Sequence, residues 1–378
     1  MERPPQPRPY RATTHVSFPR LDRFLDPILT SIATHDMTVS PAQDAASGEA
    51  YEVASPFGRA RLEIRPGQLR LSVETVEDHA LNRIKHALVG AISFIAASER
   101  LDIVWTGDEV GPALPADLRV LRVARVQPLT PRMKRVVFHG EDLARYDRPD
   151  QLHCRLIFQP KPAKALQWPV LDDRGHVVWP DGQKLPTRVY TIRHIDAAAG
   201  ELTVDFALHE RPGPATRWAM AAEPGDIVGI LGPAANGAKP ARFYVLAGDE
   251  TGLPAIARLL EQMEPTACGV AFIEVDTPAD EVPLMRPASV DLRWLHRGGA
   301  PAGTTSLLPD AIRSVSWPED LSRAFFWGGC EHKAFRQIHR HLRHEVGLPA
   351  ERQTLYSHWN RTLSEDDIIA IGAEAYLP

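Results

Sequence analysis

The sequence predicts three folded segments in series: a small α+β unit, a six-stranded antiparallel β-barrel, and an α/β unit built on a parallel sheet. Three observations carry that division. Hydrophobic periodicity changes along the chain from mixed helix and strand patterns, to short strands broken by turn residues, to alternating strands and helices. The stretch Thr106 to Asp117, rich in glycine, proline and acids, separates the first pattern from the second. At 378 residues, the chain exceeds what one hydrophobic core usually organises.

Residues 1–20 carry five prolines, at positions 4, 5, 7, 9 and 19, and are expected to form a flexible arm. Residues 21–112 make the first unit. A helix is expected near Leu21 to His35, strands near Ala50 to Ala54, Ala60 to Ile64 and Leu69 to Val73, then a helix from about Val76 to Ser98 and a strand from Leu101 to Trp105. Pro66-Gly67 supplies a hairpin turn. In the long helix Ala80, Ile84, Ala87, Leu88, Ala91, Ile92 and Ile95 recur at helical spacing, so one face should lie on the small sheet.

Residues 113–238 read as the barrel. Its strands are expected at Arg119 to Val126, Met133 to His139, His153 to Phe158, Arg188 to Arg193, Glu201 to Leu208 and Ile227 to Leu231. Pro160 to Pro186, with Pro169, Pro180 and Asp181-Gly182, reads as a hairpin or excursion hanging from that barrel. Residues 239–378 alternate strand and helix: Arg242 to Ala247, Pro254 to Met263, Gly269 to Glu274, Asp291 to Leu295, Phe325 to Gly328 and Lys333 to Val346. Such alternation predicts a parallel sheet with helices on both faces.

Composition excludes several functions. The net charge is -5 and no lysine or arginine block could track a phosphate backbone, so no nucleic-acid partner is expected. The longest apolar run, Ala87 to Ala97, is interrupted by Gly90 and Ser93 and is too short to span a membrane. Residues 1–20 lack the apolar segment of a secretory signal, which makes a cytoplasmic location the expectation. Cys154, Cys268 and Cys330 are far apart and form no C-x-x-C, so neither a protein metal site nor a disulfide framework is expected.

The chemistry is concentrated in Arg188-Val189-Tyr190-Thr191-Ile192-Arg193. Period-two geometry puts Arg188 and Tyr190 on one face and Thr191 and Arg193 on the other. An aromatic ring can cover a flat heterocycle, a hydroxyl can meet a ring nitrogen, and a guanidinium can grip a diphosphate. Read alone, the hexamer fits an ordinary amphipathic strand equally well. Downstream stand Asp205-Phe206-Ala207-Leu208-His209 and Gly213-Pro214-Ala215-Thr216-Arg217-Trp218-Ala219, where glycine, proline and a hydroxyl residue open a helix whose amides can meet an anion. Gly248-Asp249-Glu250-Thr251-Gly252 follows an apolar strand and precedes a helix, but it is no G-x-G-x-x-G and by spacing alone is a plain turn.

From about residue 118 onward these motifs resemble the FAD-binding and nicotinamide-binding domains of siderophore-interacting proteins, in the ferredoxin-reductase-like superfamily. The likeness extends through Glu223-Pro224-Gly225-Asp226, Gly232-Pro233 and Ala247 to Ile256. It implies that Arg188, Tyr190, Thr191 and Arg193 hold the flavin and its diphosphate, that His209 approaches the flavin, and that Gly213, Pro214, Ala215, Thr216 and Trp218 complete the cradle. A histidine satisfied at a strand end is the plainer reading of His209. The resemblance also lifts Asp249 and Thr251 to candidate NADH or NADPH contacts.

Phe326-Trp327-Gly328-Gly329-Cys330-Glu331 resembles the family's last Rossmann strand, with Cys330 read as a buried thiol or as a neighbour of the nicotinamide. The following helix carries Arg336, Arg340 and Arg343 along one face, a surface that can attract an anionic ferric chelate or simply be solvated. Tyr356 to Asp367 resembles the closing motif, with Asn360 where a basic residue is usual and Arg361 beside it. Arg336, Arg340 and Arg361 are thus the candidate substrate contacts. Residues 21–112 resemble a small domain of unknown function fused ahead of such proteins. The function implied is FAD-dependent reduction of a ferric siderophore by NADH or NADPH, with no catalytic residue needed from the protein. A general flavin reductase or diaphorase, and a non-enzymatic siderophore binder, remain alternatives.

Overall fold

Alternation of small, buried side chains with exposed polar ones begins at Tyr10, earlier than the proline count suggests. The computed structural model describes residues 8–33, 37–42, 49–161, 165–209, 212–363 and 367. Two units emerge, Met1–Ala116 with Lys164–Lys184, and Asp117–Ala163 with Leu185–Pro378.

The first unit runs β1 (Tyr10–Ser17), α1 (Leu21–Ala33), β2 (Thr38–Pro41), β3 (Ala50–Ser55), β4 (Gly58–Arg65), β5 (Gln68–Thr75), α2 (Asp78–Ile95) and β6 (Thr106–Gly107). Its sheet has the order β2-β3-β4-β5-β1-β6. The flexible arm is therefore corrected: residues 10–17 form an interior strand, paired along its length with β5 and at Ala12 and Thr13 with β6. Ala12, Thr14 and Val16 point into the core, and the prolines at 4, 5, 7 and 9 all precede the strand. The rest of that arm, residues 1–7, lies outside the described residues. Leu25, Ile28 and Ile32 of α1 and Leu81, Ile84, Leu88 and Ile92 of α2 cover one face of the sheet. Each such burial stabilises by about 1.5–3 kcal/mol.

Leu101 to Trp105 is not the expected strand. The Trp105 ring instead lies 5.8 Å from the ammonium of Lys85, a buried cation whose Nζ donates to the Asp173 carbonyl at 2.9 Å. Burial pushes the Lys85 pKa down. The segment read as a linker is also held in place. Asn82 donates to the Gly111 carbonyl at 3.2 Å, and Ala113 forms a bridge with Leu171.

In the second unit β7 (Arg119–Thr130), β8 (Met133–Gly140) and β9 (Gln151–Phe158) come first. The chain then makes β10 (Val170–Leu171) and β11 (Val177–Val178), an antiparallel hairpin that groups with the first unit rather than with the expected barrel. It returns as β12 (Thr187–Thr191), β13 (His194–Asp196), β14 (Glu201–Ala207), α3 (Pro214–Met220) and β15 (Ile227–Asn236). Seven strands, not six, are ordered β12-β9-β15-β7-β8-β14-β13, all antiparallel. The extra one is the flank of the Arg188 hexamer, which turns back onto β14. Between β12 and β13 the chain crosses over, with Ile192 N–H donating to Leu152 O and Arg193 N–H to Thr203 O.

The parallel part follows as β16 (Phe243–Gly248), α4 (Leu253–Gln262), β17 (Cys268–Val275), β18 (Val290–His296), α5 (Leu307–Arg313), β19 (Ala324–Glu331), α6 (His332–His341) and β20 (Gln353–Trp359). Its sheet order is β18-β17-β16-β19-β20. Ile256, Leu259 and Leu260 of α4 pack on Leu246, Ile273 and Trp327 on one face. Ile312 of α5 and Ile338 of α6 pack on Val245, Phe272 and Phe326 on the other. The last expected helix ends in a π-helical turn, Leu342–Val346, closed by Gly347 at φ 72°. The closing motif supplies the edge strand β20; Ser364 to Asp366 of that motif lie outside the described residues. Among the described residues no helix is long and apolar enough to cross a membrane.

The hairpin gives a test of the first unit's boundary. Gly175 sits at φ +82°, and a Cβ there would stand 2.6 Å from the backbone nitrogen of His86. Gly175→Ala is predicted to destabilise by about 1–3 kcal/mol, seen as a lower urea midpoint and faster proteolysis within residues 160–186. An unchanged midpoint would mean that the hairpin does not press on α2.

Candidate functional site

β12 pairs antiparallel with β9, setting Arg188 opposite Leu156, Tyr190 opposite Cys154 and Thr191 opposite His153. Thr191 is buried. The half-buried Tyr190 ring lies 4.5 Å from Phe206 and meets Phe158 edge-on at 6.4 Å. Arg188 lies half-buried on the same strand, its Nη1 donating to the Thr187 carbonyl at 2.7 Å. Downstream, Gly213 precedes α3 without a side-chain cap, and a Cβ placed there would meet nothing within 4 Å. Pro214 begins the helix, and Ala215 and Thr216 are buried behind it.

Two of the expected flavin contacts have partners within the protein. Arg193 is bound through both Nη atoms to Glu261 of α4, at 2.8 and 2.6 Å. Trp218 is 7% exposed and sits inside the antiparallel core, stacked on Phe138 at 6.2 Å and packed on Phe158 at 5.2 Å.

Asp249 and Thr251 mark the carboxyl edge of the parallel sheet. Asp249 Oδ1 accepts from the Thr251 amide at 2.9 Å and hydroxyl at 2.5 Å. Its Oδ2 accepts from the Glu331 amide at 3.0 Å and from Trp359 Nε1 at 2.8 Å. The turn is thus closed on itself, and Asp249 and Thr251, the expected nucleotide contacts, are bonded to each other. With the Thr251 hydroxyl proton given to Asp249, His358 Nδ1 is the donor in its 3.2 Å contact with Thr251 Oγ1. That leaves His358 Nε2 a buried acceptor with no partner, a condition shared by His153 Nε2.

Beside this turn Glu250 pairs bidentately with the buried Arg297, and Glu274 stands 3.6 Å from the same guanidinium. Burial, reinforced by Asp249, outweighs Arg297 and pushes the Glu274 pKa up to about 7. The antiparallel and parallel sheets meet along His153, Trp327, Tyr356 and His358, whose rings lie within 6.5 Å of one another. Burial drives the His153 pKa down to about 3. His209, just past β14, brings its ring to 5.3 Å from Trp359, and burial lowers its pKa against the pull of Asp249.

The basic residues lie on α6 and after β20. His332, Lys333, Arg336, Gln337 and Arg340 line a groove of 360 Å³. A neighbouring one of 310 Å³ is lined in part by Lys333, Asn360 and Arg361. Arg336, Arg340 and Arg361 are all exposed. Cys330 is fully buried and its thiol pKa is pushed well up by that burial. Asn360 is a turn-former, its Oδ1 accepting from the Thr362 amide and hydroxyl at 2.8 Å each. Trp359, Glu331 and His358 were legible as motif letters, but nothing local in the sequence signals that they converge on Asp249.

An antiparallel sheet bearing an arginine and tyrosine strand beside an uncapped helix start, followed by a parallel sheet with helices on both faces, defines a two-domain flavoenzyme. Residues 122–237 match the siderophore-interacting FAD-binding domain, and residues 241–362 match the siderophore-interacting protein model. An uncharacterized Mycobacterium tuberculosis protein is 32% identical over 264 residues, 66% of this chain and 92% of that one. The chain belongs to the siderophore-interacting protein family. The NADPH-dependent ferric-chelate reductase of Escherichia coli is 35% identical, over 64% of this chain and 92% of that one. The ferric vibriobactin reductase of Vibrio cholerae is 28% identical, over 66% and 91%. Among solved structures, a siderophore utilization protein from T. fusca is 36% identical with a TM-score of 0.56, over 65% of this chain and 94% of that one. The siderophore-interacting protein of Aeromonas hydrophila is 28% identical with a TM-score of 0.59, over 68% and 97%.

The residues present fit FAD. A guanidinium, a tyrosine ring and a threonine hydroxyl stand on one strand, and the space beside Gly213 is open. Because Trp218 is core, Trp218→Ala is predicted to cost about 3–5 kcal/mol of stability. Chemical denaturation of the protein stripped of flavin measures this; a variant as stable as the parent that had merely lost flavin would return Trp218 to the cradle.

Proposed function

We propose that this chain reduces iron(III) held in a siderophore, taking electrons from NADH or NADPH through bound FAD. The observation that carries this reading is the succession of the siderophore-interacting FAD-binding domain and the siderophore-interacting protein model along one chain. The names of the Vibrio and Escherichia relatives support it. The seven-stranded antiparallel sheet is read as the flavin-binding barrel of the family. Arg188, Tyr190 and Thr191, with Gly213, Pro214, Ala215 and Thr216, would hold FAD. The chemistry FAD supplies when bound is to accept a hydride and to return single electrons.

The chain's own contribution is binding and exclusion. Arg188 would set its guanidinium against phosphate oxygens, and Tyr190, braced by Phe206 and Phe158, offers a fixed ring. Burial lowers the His209 pKa and so disfavours a positive charge beside the flavin. Trp359, tied through Nε1 to Asp249, keeps the His209 ring in place and limits water. Exposed Lys333, Arg336, Arg340 and Arg361 give the α6 side a positive field that raises the local concentration of an anionic ferric chelate. Iron(II) binds hard oxygen donors less tightly than iron(III), so reduction loosens the metal from its carrier.

Purified protein is predicted to hold FAD, and the flavin's visible colour to bleach anaerobically on adding NADH or NADPH. Arg188→Ala and Tyr190→Ala should each weaken FAD retention by about 1–3 kcal/mol, roughly five- to 150-fold in Kd. Reoxidation should be faster with ferric siderophores than with free flavin or quinones. Equal rates would favour a general diaphorase, and a colourless protein taking up no FAD would favour a binder. Arg336→Glu with Arg340→Glu should slow reoxidation by the anionic chelate most at low ionic strength.

A further inference from the structure

Carboxylates fill the turns that lead into α4 and α6, whereas the start of α3 is open, although neither Gly213 nor Gly252 is capped by a side chain. Gly213, where α3 begins, has no side-chain cap and open surroundings. At the carboxyl edge of the parallel sheet the chain's own carboxylates occupy the amides. Before α4, Asp249 takes the Thr251 amide and hydroxyl on one oxygen and the Glu331 amide and Trp359 Nε1 on the other. The Asp249 carbonyl accepts from Gly252 and Leu253 N–H at 2.9 Å each, and Pro254 has no N–H. Ala255 and Ile256 then donate to the Gly252 carbonyl. Before α6, Glu331 accepts from its own helix at Lys333 N–H, 2.5 Å, and from Arg361 N–H at 3.2 Å.

Space is closed as well. A Cβ on Gly252 would stand 2.2 Å from the Gly329 carbonyl, so this glycine admits the neighbouring strand turn rather than a ligand. Arg297 provides no alternative grip, being paired with Glu250 and facing Glu274.

We propose that Asp249 and Glu331 exclude a diphosphate from the carboxyl edge of the parallel sheet, so that this chain accepts a nicotinamide donor without gripping its phosphates. The inference rests on the reading above that such a donor approaches that edge. A dinucleotide's diphosphate is ordinarily held by free amides at such a helix start. Here it meets two carboxylates, each 5% exposed, at short range in a poorly screened setting. To seat itself it must also break charge-assisted hydrogen bonds that already satisfy the turn. Asp249 and Glu331 are therefore specificity-determining: they set which part of the donor carries recognition, and leave that to the nicotinamide end.

Isothermal titration of ADP-ribose and of inorganic pyrophosphate into the full-length protein tests this without turnover, so its outcome does not depend on whether the protein reduces ferric chelates. Wild type should show no saturable binding up to roughly 1 mM, and Asp249→Asn should tighten ADP-ribose binding by about tenfold or more. In flavin reduction, N-benzyl-1,4-dihydronicotinamide, which has no phosphate, should match NADH in kcat/KM within about tenfold, with only NADH gaining in Asp249→Asn. Micromolar binding of ADP-ribose or pyrophosphate to wild type overturns the proposal, as does an Asp249→Asn that folds and binds ADP-ribose no better. If that variant does not fold, the wild-type titrations alone decide, with Glu331→Gln as the second variant expected to tighten binding in the same direction.

Discussion

Arg258 is the constraint on which the second unit turns. It is 5% exposed, yet neither of its terminal nitrogens meets a carboxylate: Nη1 donates to the Ile192 carbonyl at 2.9 Å and Nη2 to the Arg148 carbonyl at 2.7 Å. A buried cation held by backbone carbonyls tolerates little displacement, because losing either bond leaves charge without solvation. Ile192 lies in the crossover between β12 and β13, so α4 is fastened to the point where the antiparallel sheet changes edge. The ion pairs Arg193–Glu261 and Arg132–Asp276 repeat the fastening on either side. Two sheets of opposite construction are thereby held in one register, as electron transfer between separately bound partners requires.

The carboxyl edge of the parallel sheet is unusually rich in acids. Asp249, Glu250, Glu274, Asp276 and Glu331 are all buried there, and Arg297 and Arg132 answer only part of that charge. Hydrogen bonds do the remaining work, four of them on Asp249 alone. Burial keeps Glu274 partly protonated near neutrality, which relieves some of the repulsion at the cost of a carboxylate without full charge. On the outer side α6 is basic, so polarity reverses over one helix.

Local patterning was sufficient for α2, α4 and the strands β16 to β19, but it showed neither α5 nor the edge strand β20. It failed where the partner is distant in sequence. β1 was obscured by neighbouring prolines, since only its pairing with β5, some sixty residues away, explains why Ala12, Thr14 and Val16 alternate. The hexamer at Arg188 was recognisable as a strand with cofactor chemistry, but whether Arg193 is available depends on Glu261, which no spacing rule connects to it. Trp218 looked like part of a cradle because a tryptophan near a helix start suits one; Phe138 and Phe158 claim it for the core. The Gly248 to Gly252 turn was identified as a strand-to-helix junction, while its closure by Trp359 and the Glu331 amide arises from two other strands.

The hairpin of residues 170–178 has a consequence for how the molecule is made. It belongs to a unit whose other residues end at Ala116, so that unit is discontinuous in sequence. On the ribosome the amino-terminal sheet can assemble early, but Lys85 and Ala113 must wait until some sixty residues beyond Ala113, including three strands of the next sheet, have emerged before they meet their last partners. The first unit is thus completed by a loop whose sequence lies inside the second.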